Sequence, residues 1–352
     1  MGARWFGTGI ALAALAAACG STTPTHVAAV KLSSARPSSA SHVSNPFRIV
    51  ARYSATSLGL KNPRDLVIGT NGNVYITDAT DRVTEMSPTG KVLRRWGGRG
   101  KRPGEFNFVS NDSRDPNAFA AAIAIGPHGN LYVSDSGNAR VEVFSPAGHF
   151  IRQFGSSITN ASGHFLLPDD LAVDSAGNVY VSDAEENVME KYSSKGAFVW
   201  QVGSGAGSND PELSGLFHLQ SIDRHGLIVI ANDTVPGAAV IYLDPSGHKI
   251  DVLRTSGDLP RGVGPCDVSL DSLGDAFVQA CPGPSSIGEP SSPPIQDALV
   301  FDRAHNLIGA WRHAPFERSP GFGPNGEVFA LGSKDCFRCT TDAILKLKVT
   351  LR

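Results

Sequence analysis

No stretch of this 352-residue chain stays apolar long enough to cross a bilayer as a helix. Nor does it carry a surplus of positive charge: with a formal net charge of −2 it offers no electrostatic reason to bind nucleic acid or anionic lipid. A serine nucleophile motif, a glycine-rich phosphate loop and a zinc-protease helix are all missing, so no local signature announces an enzyme. Cysteine is sparse at five residues. What the chain does hold is 41% hydrophobic residues and 38 glycines, a globular composition rich in turns.

The first residues read as a processing signal. Arg4 precedes the apolar run Gly9 to Ala18, and Ala16, Ala17 and Ala18 lead into Cys19. This arrangement resembles the lipobox of bacterial lipoproteins, with Leu15 one place further from the cysteine than usual. The resemblance implies lipidation at Cys19 and a cell-membrane lipoprotein on the extracytoplasmic side. Residues 20–45 are dominated by Ser, Thr, Ala and Pro and bury too little to order themselves, so they are expected to act as a flexible tether. The expected folded domain is 46–352.

Within it a unit recurs. Hairpin glycines stand at Gly72, Gly129, Gly177, Gly226, Gly274 and Gly326, at spacings of 57, 48, 49, 48 and 52 residues. Each opens a β-rich run, and a second glycine turn follows at Gly90, Gly148, Gly196 and Gly247. Each unit therefore reads as a four-stranded antiparallel meander, and six of them without intervening helices predict an all-β, six-bladed β-propeller. The sixth unit ends at "DAILKLKVTLR" with no fourth strand, while "NPFRIVARYS", Asn45 to Ser54, precedes the first unit unpaired. The ring is expected to close by pairing these two ends.

"GNLYVSDSGNARVEVFSPAGHFIRQFG", Gly129 to Gly155, together with "GGRGKRPGEF", Gly97 to Phe106, resembles the NHL repeat. The resemblance is clear in the first three units and fades in the last three. It implies a propeller of the NHL class, some members of which, the peptide-amidating lyases, hold zinc through histidines. Gluconolactonase-type propellers, a related class, place Glu, Asn and Asp metal ligands on the channel axis. Asp65, Asp170 and Asn232 are the residues here that would imitate that trio.

Propeller geometry sends the blade-to-blade links and the links between second and third strands to one face. The long insertions 98–118, 282–296 and 334–342 all fall there, whereas the glycine turns opposite stay short. Long loops on a rigid scaffold commonly carry recognition. Phe106, Phe108, Arg114, Phe119, Phe337 and Arg338 are the expected contact residues, because aromatic and arginine side chains dominate interface energetics. Asp78, Asp135 and Asp183 recur once per unit and are expected to cap turns. His164, His218 and His313, with Asp65 and Asp170, are the metal candidates.

Four cysteines remain beyond Cys19, and an exported chain favours disulfides. A two-residue turn at Leu273-Gly274 would set Cys266 opposite Cys281, leaving Cys336 and Cys339 for each other. The reading on sequence is a monomeric, lipid-anchored binding or scaffold propeller for a protein, peptide or glycan. It needs no cofactor and has no nucleic-acid partner, and it meets the membrane through its anchor alone. The alternative is a metal-dependent hydrolase or lyase, lactonase-like or amidating-lyase-like, using Zn²⁺ or Ca²⁺ at the channel mouth.

Overall fold

A computed structural model describes residues 43–351 apart from 109–120, 156–162, 204, 208–209, 211–212, 214–217, 224–225, 233–238, 256–258, 260–262, 283–296, 317 and 334–340. The described strands form six four-stranded antiparallel sheets. Blade one is β2 (Pro63–Ile68), β3 (Val74–Asp78), β4 (Arg82–Met86) and β5 (Val92–Gly97). Blade two is β6 (Ile123–Ile125), β7 (Leu131–Asp135), β8 (Arg140–Phe144) and β9 (Phe150–Phe154). Blade three is β10 (Pro168–Val173), β11 (Val179–Asp183), β12 (Val188–Tyr192) and β13 (Phe198–Gly203). Blade four is β14 (His218–Ile222), β15 (Ile228–Asn232), β16 (Ala239–Leu243) and β17 (Lys249–Arg254). Blade five is β18 (Val263–Leu270), β19 (Ala276–Pro282), β20 (Asp297–Phe301) and β21 (Leu307–Trp311).

Blade six is assembled from both ends of the domain. β22 (Gly321–Phe322), β23 (Val328–Gly332) and β24 (Ala343–Val349) are joined by β1 (Phe47–Ser54), whose register runs from Phe47 opposite Val349 to Ser54 opposite Ala343. The predicted closure is therefore the observed one. Phe47 fixes it further, packing its ring 5.8 Å from Phe277, 5.7 Å from Trp311 and 5.8 Å from Phe316.

Repetition in sequence follows from two demands of this fold. All six hairpin glycines have φ between +76° and +83°, a left-handed conformation that costs other residues a Cβ clash. The middle strands carry apolar side chains on both faces because each blade is sandwiched between two others: β3, β7 and β11 are buried at every position. The core is accordingly six seams rather than one centre. Val133, Phe144, Phe106 and Phe108 pack between blades one and two, and equivalent clusters fill the other five interfaces.

Two of the once-per-unit aspartates, Asp78 and Asp183, cap the turns that follow them, as expected, whereas Asp135 makes no capping bond to its turn and reaches the preceding link instead. Asp78 accepts the Thr80 amide at 2.8 Å, Asp135 the Asn107 amide at 2.6 Å, and Asp183 the Leu166 amide at 2.7 Å. Their reach into the incoming link explains their conservation of place along the chain better than any ligand does.

Candidate functional site

The residues seven positions before each hairpin glycine are Asp65, Ala122, Asp170, Leu219, Asp267 and Ser319. Those one place earlier are Arg64, Ala121, Asp169, His218, Cys266 and Arg318. In blades one, three and five the register shifts between Pro63 and Asp65, Pro168 and Asp170, and Pro265 and Asp267. Such a bulge tolerates the proline's missing N–H and re-aims the side chains beside it. The inner strands of the six blades enclose a cavity of about 280 Å³, lined among others by Asp65, Asp170, Asp267, Arg318, Ser269 and Ser319.

Arg318 is the organising residue. Its Nη1 lies 3.0 Å from Asp170 Oδ1 and 4.0 Å from Asp267 Oδ2, with all three side chains largely buried. Blade six and blade three face each other across a six-membered ring, so this ion pair spans the channel. Asp65 is held differently: its carboxylate accepts the amides of Leu66 and Ile123, both at 2.8 Å, tying blade one to blade two. Arg64 stands 3.7 Å from Asp169 beside the same cluster.

Burial dominates the acid chemistry. It pushes Asp65 up to about 6 and Asp267 up to about 7, with Arg318 opposing the rise in both cases. For Arg318 burial works against the charge, but Asp170, Asp65 and Asp267 outweigh it and raise its pKa above the ordinary arginine value. Arg64 is lowered, first by repulsion from Arg318 and then by burial. The arrangement is a permanent cation beside two acids, Asp65 and Asp267, whose pKa values burial raises towards neutrality.

A divalent metal fits this donor set poorly. The carboxylates that would bind it already converge on a guanidinium, which would have to leave first. Among the described residues no three His, Cys, Asp or Glu side chains are placed to hold a metal ion. Asn232 does not join Asp65 and Asp170: it ends β15, the second strand of its blade, and does not line the channel. His313 is exposed in the link after blade five, where its amide donates to Asp297 at 3.1 Å. His164 lies in the link entering blade three, near Glu186, and His218 opens β14.

Two of the six expected contact residues must be withdrawn. Phe106 and Phe108 are 0% and 1% exposed, stacked on each other at 4.8 Å between blades one and two. A side chain at Gly97 would meet the Phe106 ring at 2.6 Å, so the glycine makes room for the phenylalanine. The same pairing recurs at Gly155 and the fully buried Phe165. That repeat was visible in the sequence as "GEF" and "GHF" and marks a structural wedge. Arg140 locks the first of these links: its guanidinium donates to the carbonyls of Lys101 at 2.9 Å and Glu105 at 2.7 Å while paired with Asp135 at 2.7 Å. Arg114, Phe119, Phe337 and Arg338 lie outside the described residues, as do Cys19, Cys336 and Cys339.

The expected facing of Cys266 and Cys281 also needs correction. The blade-five turn closes with a bond from the Asp271 amide to the Asp275 carbonyl, leaving three residues in the loop, and Cys266 falls on the bulge. Cys281 is therefore opposite Gly264 in the ladder. A three-residue loop with a left-handed glycine is a common hairpin alternative to the two-residue turn assumed from sequence.

Arg318, Arg64 and Asp169 are absent from the sequence-derived site. The signal for them was the column one place before the channel aspartates, which holds an arginine in the first and last units.

No protein-family model matches the chain. The peptidyl-glycine alpha-amidating monooxygenase of Mus musculus is 35% identical over 124 residues, covering 32% of this chain and 11% of that protein. The chain thus matches about a tenth of the length of that relative. Among solved structures, a virginiamycin B lyase from Staphylococcus aureus with quinupristin is 10% identical, covering 86% of this chain and 100% of that one, with a TM-score of 0.52. Hydrazine synthase from Kuenenia stuttgartiensis is 15% identical, covering 78% of this chain and 74% of that one, with a TM-score of 0.52. At these identities the structural likeness shows a shared β-propeller fold.

Proposed function

We propose that this protein is an NHL-like, lipid-anchored propeller on the extracytoplasmic side of the cell membrane that binds a protein, peptide or glycan without a covalent step. The observation that carries the reading is the Arg318 guanidinium set among Asp170, Asp267 and Asp65 on the channel axis. It commits to the scaffold the carboxylates that a metal-dependent hydrolase would need free. Recognition is left to the loops at the same end of the ring, with Arg114, Phe119, Phe337 and Arg338 as contact residues. Cys19 supplies the anchor and residues 20–45 the tether. Disulfides at Cys266–Cys281 and Cys336–Cys339 belong to the same reading, the bulge at Cys266 notwithstanding.

Photocrosslinking in cells, followed by substitution, tests it. Arg114→Ala and Arg338→Ala should weaken capture of the crosslinked partner, and Lys91→Ala and Lys195→Ala, beside the opposite turns, should not. The reverse pattern would show that recognition uses the other face. The local identity to an amidating monooxygenase favours the lyase reading as the second one. Stoichiometric zinc or calcium in the purified protein, retained through dialysis, would support it over the binding reading.

A further inference from the structure

We propose that a cavity on the glycine-turn face, reaching from the channel mouth to the seam between blades five and six, binds a small amphiphilic anion: a carboxylate or sulfonate with an apolar tail. Its seam end exists because of how the ring closes. At other seams a turn glycine of one blade is seated against an aromatic ring of the blade before it. A Cβ at Gly148 would lie 2.8 Å from Trp96, at Gly196 2.9 Å from Phe154, and at Gly247 3.2 Å from Trp200. Blade five substitutes His305 in the same turn, at φ 63°, and its ring stacks 5.3 Å from Tyr242 of blade four. Blade six has no such turn, since its outer two strands are β24, ending at Val349, and β1, beginning at Phe47. Its inner strand β22 is also cut to two residues.

The space left opens into the channel mouth on this face, giving one cavity of about 900 Å³ that Ile68, Ile125 and Ile222 of blades one, two and four also line. That volume lies within the range of roughly 300–1,000 Å³ usual for small-ligand sites. Its apolar lining includes Phe322, Val328, Leu347, Val349 and Leu351. Its cations are Arg303, Lys346 and Lys348, its acids Asp223 and Asp271. The acids are engaged in their own turns: Asp271 accepts the Leu273 amide at 2.8 Å and the Asp275 amide at 3.0 Å, and Asp223 accepts the Leu227 amide at 2.9 Å. Lys346 donates to the Pro88 carbonyl at 3.2 Å. Arg303 and Lys348 are both exposed and have no hydrogen-bond or ion-pair partner among the described residues. The Arg303 guanidinium lies over Gly274, where any side chain would collide with it. Two uncommitted cations beside an apolar trough complement an anionic head with a hydrophobic tail, and charge-assisted hydrogen bonds would fix the head.

The purified full chain is titrated with dodecanoate by calorimetry at neutral pH, with dodecyltrimethylammonium as the ligand of opposite charge. One saturable site for dodecanoate is expected, weakened about tenfold or more in the Arg303→Gln, Lys348→Gln double variant. Val349→Trp should weaken it as well, by filling the trough without changing charge, whereas Lys61→Gln at the opposite end should leave it unchanged. Absence of saturable dodecanoate binding, equal binding of the cationic ligand, or an unchanged affinity in the double variant would each overturn the proposal. Because the site lies on the face opposite the loops, its failure leaves the partner-binding experiment untouched.

Discussion

Replacing Arg318 with Gln should destabilise the propeller strongly at neutral pH and only weakly in mild acid. The substitution keeps a polar side chain of similar length and removes the one charge that faces Asp170, Asp267 and Asp65 together. Breaking a buried pair from one side typically costs about 3–5 kcal/mol, because the remaining charge stays desolvated. For a domain of this size roughly 2 °C is lost per kcal/mol, so the melting temperature should fall by about 6–10 °C at pH 7.5. The pH dependence follows from the two raised acids. Asp65 and Asp267 titrate near 6 and 7 in the folded protein against an ordinary value of 3.8, so the folded state holds more protons than the unfolded state between those limits. Their contribution to stability is therefore full below about pH 4 and is lost as the pH rises towards 7. Without Arg318 both acids shift further up, which deepens the loss at high pH and leaves little at low pH. The assay is paired thermal unfolding of the wild type and Arg318→Gln at pH 5 and pH 7.5, with Arg318→Lys expected to recover part of the difference. An unchanged melting temperature at pH 7.5, or an equal loss at the two pH values, refutes the claim that the channel cluster is held by this cation.

Deleting residues 45–54 removes β1, leaves β24 as an open edge and uncouples the ring, so cooperative unfolding by circular dichroism should shift down far more than in a deletion of 20–44, which should leave the melting temperature unchanged. Phe106→Ala should cost about 3–5 kcal/mol through the cavity it leaves under Gly97, read as a lower urea midpoint and faster amide exchange across 98–108. A midpoint equal to wild type would return Phe106 to the surface role first expected of it.

The sequence by itself determined the architecture, because a propeller repeats its local rules. Six left-handed turns need glycine at six equivalent places, and middle strands packed on both faces need continuous β-rich runs, so blade number, strand order and the pairing of β1 with β24 could all be read from spacing. The turn-capping role of Asp78 and Asp183 was legible for the same reason, whereas the reach of Asp135 into the preceding link was not. Tertiary structure alone decided what depends on convergence across the ring. Asp65, Asp170, Asp267 and Arg318 are far apart in sequence and meet only where their blades converge on the channel, each aspartate beside a bulge of its own inner strand and Arg318 just before β22, so the cross-channel ion pair has no local signature. The fate of Phe106 was decided by the space left over Gly97, and the position of Cys266 by a single extra loop residue and a bulge. The cavity beside blades five and six arises because β24 and β1 are not joined by a turn where the other blades have one. Repetition fixes what each unit must be, whereas the departures from repetition acquire their meaning from the neighbours that closure brings against them.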